Sequence, residues 1–512
     1  MQQTTKKKIL IHGIKNTSHL KINQGVAISL QQRGYNVTIV LFDFDQQMIR
    51  SLRQNKVTVA LMAPLTKEQL QLWNQRQQEQ TQGPPISLKM WNIAMNYVNQ
   101  VFVDQISFLS HLKDQNYDMI IFEHMLYQQL IVNYLEIPIA VQLMNGAIEQ
   151  DLAVKSAEPF IHSSHFNLVR YLVFKYQRHL GQFAERSTVL ATTMLQHTIK
   201  LWILVYQLYE TLPENLQPII TPNRYQNLTL ILNVEGNNPP MSISPDVKYI
   251  FPKFKQQISE RDKQLSPELQ KFYHRFNKIA LIAFGTASSL LPYQLKQMLQ
   301  IMKQMSNKGW AFVYASQVES LPINKNEREA FFKRYPNIIQ MRFVPQQTLL
   351  EHPKTKVFIN HGGSNSVQEA MEAQVPMIII PRYIFDQDMN CHNIENNGRG
   401  LCCLDMLKIP SLLDQIDKNP QFKENTKGLS GAIKLKRQDD QDFEYWIDYA
   451  FEVGYEQFRV KQFSKMAIHR FIDMDVHLVA YSLLLLVIFT IIKVFIKMVK
   501  MSFKFLITTY RR

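Results

Sequence analysis

Apolar runs separated by stretches with helical spacing organise most of the chain. Lys8–His12 is a short apolar run, Asn23–Gln32 has the spacing of a helix ended by Gly34, and Asn36–Phe42 (NVTIVLF) is strongly β-branched. Tyr117–Phe122 (YDMIIF) and Ile137–Gln142 (IPIAVQ) repeat the pattern around a helical Tyr127–Leu135, and Leu228–Leu232 (LTLIL) reads as the last strand of this half. Runs that are apolar at every position, rather than at alternate ones, predict strands buried on both faces. Their alternation with helices predicts a doubly wound parallel sheet. Gly236–Phe254 is rich in Pro, Asn and Ser and reads as a linker. A second alternation begins with Ile279–Phe284 (IALIAF) and continues through Trp310–Tyr314, Ile338–Phe343, Val357–Ile359, Val375–Pro381 and Gly400–Leu404. The expected fold class is α/β, with two Rossmann-like domains facing each other across a cleft. Ligands in such sheets bind outside the carboxyl ends of the strands.

The pattern changes near the end. Val476–Ile496 (VHLVAYSLLLLVIFTIIKVFI) is a mostly apolar run that contains one His and one Lys. Roughly 20 apolar residues cross a bilayer core, so this segment predicts a transmembrane helix. Lys497, Lys500, Lys504, Arg511 and Arg512 follow it and favour a cytoplasmic C-terminus. The expected organisation is an N-terminal acceptor-binding domain over 1–235, a linker over 236–275 and a donor-binding domain over 276–440. A helical return segment over 441–475, a membrane helix over 476–496 and a basic tail over 497–512 complete it. Met1–Lys8 is polar and basic, and Ile9–Ile11 is too short for a signal-peptide core. The side of the membrane that holds the body is therefore left open.

Composition narrows the function. The chain has 512 residues, 46% of them hydrophobic, enough for more than one core. A net charge of +15 is spread along the chain without an aromatic-interleaved basic stripe, so nucleic acid is not an expected partner. Cys391, Cys402 and Cys403 do not make a disulfide framework, and their spacing does not resemble a zinc site. Adjacent Cys402 and Cys403 read as buried strand residues.

The densest chemistry lies between Val357 and Gln387. A strand ends at Asn360, His361-Gly362-Gly363 turn the chain, and Ser364-Asn365-Ser366 open a helix. Glycines let backbone amides approach a ligand closely, and a helix start offers free N–H groups and a positive dipole end to phosphate oxygens. Ser364, Asn365 and Ser366 add side-chain donors, and His361 sits above the helix end. Glu369, further along the helix, is an acceptor-only carboxylate suited to a pair of ribose hydroxyls. Asp386 and Gln387 follow the next strand, where an acid and an amide can bind the hydroxyls of a transferred sugar.

This constellation resembles the UDP-glycosyltransferase family, in its animal UDP-glucuronosyltransferase-like branch. Phe343-Val344-Pro345-Gln346 stands where the family has a Trp-x-Pro-Gln element. His361 to Asn365, Glu369, and Asp386-Gln387 follow its donor signature, and LLEHPKTK (Leu349–Lys356) reads like the animal branch. The resemblance implies the GT-B arrangement of two Rossmann-like domains, an aromatic ring at Phe343 stacked on uracil, and Gln346 on the ribose. Gly285-Thr286 resembles a Phe-Gly-Ser turn whose backbone and hydroxyl approach the donor phosphates. Phe343 departs from the usual Trp, and Asp386-Gln387 lie one residue further from His361 than the family spacing.

On the acceptor side, His19 follows the first strand, just before the helix at Asn23–Gln32, and matches the family's catalytic His. A neutral imidazole can take a hydroxyl proton near neutral pH. The family places an Asp at the end of the strand read as Tyr117–Phe122; here that residue is Glu123, one methylene longer. His12, nearby, is the bystander, and Asp118 at the other end of that strand is structural.

The resemblance implies an inverting enzyme that moves a hexosyl group, glucuronosyl or glucosyl, from a UDP-sugar to a hydroxyl of a small lipophilic acceptor. UDP-sugar is then a co-substrate, and neither cofactor nor metal is expected. The expected location is the membrane of the endoplasmic reticulum, through the C-terminal helix. Two alternatives stay open at this point. One is a sterol or glycolipid glucosyltransferase of the cytosolic leaflet; the other is a non-catalytic, membrane-anchored UDP-sugar-binding protein.

Overall fold

The computed structural model describes residues 6–13, 17–42, 46–62, 66–68, 71, 102–123, 126–144, 228–233, 246–250, 264–285, 290, 292–316, 325–381, 385–438, 442–454 and, within 479–499, all but 480–481, 484 and 488. The apolar stretches Ser164–Phe174 and Leu201–Tyr209, which the sequence offers as acceptor-pocket or membrane-contact segments, lie outside them.

The first half contains β1 (Lys8–His12), α1 (Thr17–Gln32), β2 (Asn36–Phe42), α2 (Gln46–Gln54), β3 (Thr58–Met62), α3 (Ile106–Asp114), β4 (Met119–Glu123), α4 (Leu126–Leu135), β5 (Ile139–Met144), β6 (Leu228–Leu232) and β7 (Val247–Ile250). Its strands form one sheet in the order β3-β2-β1-β4-β5-β6-β7, every pair parallel. Ile9, Ile11, Ile39 and Ile121 fill one core, whereas Leu10, Val40, Ile120 and Phe122 fill another on the opposite face. A period-2 backbone with both faces covered requires such unbroken apolar runs. Helix α1 stops at Gly34, whose φ of +104° is open to glycine without strain. Tyr35 N–H then reaches the Leu30 carbonyl and Gly34 N–H the Gln31 carbonyl, a Schellman closure that returns the chain to β2.

The second half follows as α5 (Pro267–Arg275), β8 (Ile279–Ala283), α6 (Pro292–Ser306), β9 (Ala311–Ala315), α7 (Lys325–Arg334), β10 (Ile338–Met341), α8 (Gln346–Glu351), β11 (Thr355–Asn360), α9 (Ser364–Glu372), β12 (Met377–Ile379), α10 (Phe385–Asn396) and β13 (Gly400–Cys402). Helices α11 (Ile409–Lys418), α12 (Gln421–Gln438) and α13 (Asp442–Glu452) close it. Its sheet runs β10-β9-β8-β11-β12-β13, again all parallel. The two Rossmann-like halves expected from the sequence are present.

Four local expectations change. Val247–Ile250, within the stretch read as a linker, forms β7 at the edge of the first sheet. His19 lies inside the first turns of α1 rather than before the helix, because α1 begins at Thr17. Asp386 and Gln387 stand in the first turn of α10. Cys402 is not a plain strand residue: it forms a disulfide with Cys391, Cα atoms 5.0 Å apart, which ties β13 to α10. Spacing alone did not expose this pair, because its partners lie 11 residues apart and only the helix-to-strand return brings them together. Cys403 is the free, buried thiol, and burial pushes its pKa up to about 12.

Two sets of contacts join the halves. Helix α13 returns to the first domain, where Phe443, Ile447 and Ala450 enter the core beneath β1 and β2. Ser29 donates to Glu444, while Asp448 accepts from Arg33 and Tyr35. In the cleft, buried Gln368 of α9 donates to the Leu232 carbonyl at the end of β6, at 2.6 Å.

Among the described residues no helix is long and apolar enough to cross a membrane. Those described within 479–499 are helical, and apolar side chains there such as Leu485, Phe489, Ile491 and Phe495 are exposed.

The disulfide makes a direct prediction. Thiol labelling of the denatured chain is expected to find one reactive cysteine before reduction and three after it, given the pairing of Cys391 with Cys402. Closing so short a loop contributes about 3 kcal/mol, so Cys391→Ser is expected to lower the melting temperature measurably. Three reactive thiols in the unreduced protein would refute the pairing.

Candidate active site

Both sheets reverse their strand order once: between β1 and β4 in the first, and between β8 and β11 in the second. Helices leave to opposite faces at such a point, opening a crevice outside the carboxyl ends of the two central strands. His12 ends β1, Glu123 ends β4, Gly285 follows β8, and His361 follows β11. The candidate residues of both halves therefore occupy the two switch points.

In the second half, backbone packing defines the turn after β11. Gly362 has φ +84°, donates its N–H to Asn360 Oδ1 at 2.7 Å, and lies so close to α10 that a Cβ would meet Gln387 O at 2.9 Å. A Cβ on Gly285 would lie 2.9 Å from His361 Cε1, and one on Gly363 would lie 2.5 Å from His361 Nε2. The imidazole thus sits between two backbones that must lack side chains. Gly363 is the N-cap of α9, so the helix begins, without a side-chain cap, directly beside the His361 ring. Asn390 of α10 donates to the Gly362 carbonyl at 2.8 Å and to Ser364 Oγ at 3.3 Å, fixing the turn from behind.

The residues expected to hold the nucleoside converge. Gln346 Nε2 donates to Glu369 Oε2 at 2.6 Å and to Ser366 Oγ at 3.2 Å. Phe343, three residues before Gln346, is 74% exposed. Val344 tucks against the core, so the two neighbours divide: one anchors, the other faces outward. Asn365 is partly exposed, while Ser364, Ser366 and Gln387 are buried. Thr286 lies outside the described residues, and of Asp386 only the helical backbone position is described.

In the first half, His19 Nδ1 hydrogen-bonds Glu123 Oε2, bringing together the two residues expected to form the base. With a carboxylate on Nδ1 that nitrogen carries the proton, and Nε2 is the atom left to act as base. Asn23 donates from Nδ2 to the other oxygen, Glu123 Oε1, at 2.5 Å. His12 pairs with Gln128 Oε1 at 3.1 Å and is wholly buried; burial lowers its pKa from 6.5 to about 4, against the smaller upward pull of Gln128 and Glu123. It is neutral at physiological pH and occupied elsewhere, as a bystander should be. Lys8 N–H donates to Asp118 Oδ2 at 2.7 Å, which accounts for that acid structurally.

Sequence reasoning missed Asn23, Gln128, Gln368 and Asn390. The i, i+4 spacing of His19 and Asn23 was available as a signal, since it places both on one helix face. The others are single polar residues in helices, distinguished only by what they meet.

A family model described as UDP-glucoronosyl and UDP-glucosyl transferase matches residues 7–511. The chain belongs to this family. Mouse UDP-glucuronosyltransferase 3A2 is 30% identical over 204 residues, 38% of this chain and 37% of the mouse protein. Rat UDP-glucuronosyltransferase 2B15 is 37% identical over 101 residues, 19% of this chain and 18% of the rat protein. The matches thus span well under half the length of these relatives. Among solved structures, the calicheamicin glycosyltransferase CalG4 aligns at TM-score 0.51 and 14% identity, over 87% of this chain and 99% of that one. The spinosyn rhamnosyltransferase SpnG aligns at 0.52 and 15%, over 84% and 96%. At such identities the likeness establishes the fold, which is GT-B.

The buried His12 sets a pH dependence. Its folded-state pKa lies below the unfolded value, so between about pH 6.5 and pH 4 the unfolded chain holds the extra proton. The contribution to stability is complete above that window and declines through it by up to about 3 kcal/mol. His12→Asn removes the titrating group. The melting-temperature gap between wild type and this variant is therefore expected to narrow as pH falls from 7 to 4; a constant gap would contradict a neutral, buried His12.

Proposed function

We propose that the chain is an inverting glycosyltransferase that moves a hexosyl group from a UDP-sugar to a hydroxyl of a small lipophilic acceptor. The observation that carries this reading is the paired His19 and Glu123 at one switch point, with the glycine-clasped His361 and the open N-terminus of α9 at the other. Phe343 offers a stacking face to uracil, and Gln346 with Glu369 offers hydrogen bonds to the ribose. In this reading Gly285, Thr286, Gly363, Ser364, Asn365 and Ser366 supply contacts to the diphosphate, and Asp386 with Gln387 those to the sugar. His19 Nε2 takes the acceptor proton as the acceptor oxygen bonds to the anomeric carbon. The bond from that carbon to the UDP oxygen breaks on the opposite side, which inverts the centre. Glu123 stabilises the imidazolium, and His361 with the α9 amides takes up the charge growing on UDP, as fixed donors in a cleft can do.

Incubating the full-length protein in vesicles with UDP-glucose, UDP-glucuronate and a panel of lipophilic phenols and alcohols tests the reading. Release of UDP with glycoside of inverted configuration is expected, and His19→Ala should lower kcat/KM by at least about 100-fold. Phe343→Ala should leave kcat nearly intact but weaken UDP binding about ten-fold, from a stacking contribution of about 1–3 kcal/mol. Binding of UDP-sugar without any UDP release, unchanged in His19→Ala, would instead favour a non-catalytic binding protein.

For location, we read 476–496 as a membrane anchor and the body as lumenal in the endoplasmic reticulum. The Cys391–Cys402 disulfide supports an oxidising compartment over the cytosolic leaflet. Protease added outside sealed microsomes is expected to spare the body and trim only the basic tail. Digestion of the body would place it in the cytosol.

A further inference from the structure

We propose that Asn23 is a positioning residue for the base: it holds one oxygen of the Glu123 carboxylate so that the other stays on His19. This rests on the reading of His19 as the base. Three observations meet at this point. Asn23 and Glu123 are 1% and 5% exposed, and their hydrogen bond is 2.5 Å long. His19 and Asn23 lie four residues apart on α1, so one helix face presents an imidazole and an amide to the two oxygens of a single carboxylate. Gly13, directly after β1, is packed so closely that a Cβ there would lie 2.1 Å from Asn23 Nδ2 and 3.5 Å from Glu123 Oε1.

The physical need arises from the longer acid. A glutamate has one more rotatable bond than an aspartate, and its carboxylate can swing away from the imidazole unless something fixes it. The amide N–H of Asn23 supplies that fixation within a pocket closed to bulk water, where a charge-assisted bond is strong. Gly13 supplies the room. The imidazole is consequently held in one tautomer and one orientation, as a base attacking through Nε2 requires. Among the described residues, His12 also lies near Glu123, and its Nδ1 is bonded to Gln128 Oε1.

The test is a double-mutant cycle on the full-length enzyme, reading UDP release from whichever of UDP-glucose and UDP-glucuronate the wild type consumes. Asn23→Ala is expected to lower kcat about ten-fold, with KM for the donor and the Kd of UDP within about two-fold of wild type. Asn23→Leu, which nearly fills the same volume and has no donor, should lose at least as much. In a Glu123→Ala background, Asn23→Ala should change nothing further, because the residue acts only through that carboxylate. Gly13→Ala, which displaces the amide, should reproduce the loss. An equal loss in both backgrounds, full activity in Asn23→Leu, or a parallel fall in UDP affinity would each overturn the assignment. Wild-type rates in His19→Ala would instead remove the base reading itself, leaving the two failures separable.

Discussion

The molecule depends on the uniform direction of its strands. Because every ladder in both sheets is parallel, all thirteen strand ends that matter chemically emerge on one edge of each sheet. The single reversal of strand order in each sheet then opens one crevice, and the residues after β1, β4, β8 and β11 line the two crevices with no further device. Burial on both faces holds this arrangement. Ile9, Ile11 and Ile121 pack one way and Leu10, Ile120 and Phe122 the other, so a strand that slipped by one residue would exchange its two cores. The chemistry at the strand ends is therefore as precise as the packing behind it.

The sequence made the strands legible because both-face burial writes itself as unbroken apolar runs, and Ile279–Ala283, Met119–Glu123 and Leu228–Leu232 lie where those runs stand. Edges and starts were harder. Val247–Ile250 buries only its first and last residues at the sheet edge, so its pattern drowned in the surrounding Pro and Asn. Thr17–Gln32 begins with polar residues, and the helix start slid toward its first apolar stretch. The glycine turn and the meeting of Gln346 with Ser366 and Glu369 were legible from spacing. What spacing could not convey was the reason for the glycines: Gly285 and Gly363 yield room to a side chain, His361, rather than only to a ligand.

Residues that act through another residue formed the remainder. Asn390, Gln128 and Asn23 carry no motif and sit in ordinary helices, and each matters for one or two atoms on a distant segment. Such pairings arise from the return of the chain and not from local order. The disulfide belongs to the same class: it clamps to the sheet the helix that carries Asn390, Asp386 and Gln387.

The bond from Gln368 to the Leu232 carbonyl joins the two domains at the residue next to Glu369. A rotation that parts the halves here has to give up this bond, and one that also swings α13 away has to empty Phe443 and Ile447 from the first core. The two halves are thus pinned at two separated points, and a hinge between them cannot turn about either one alone.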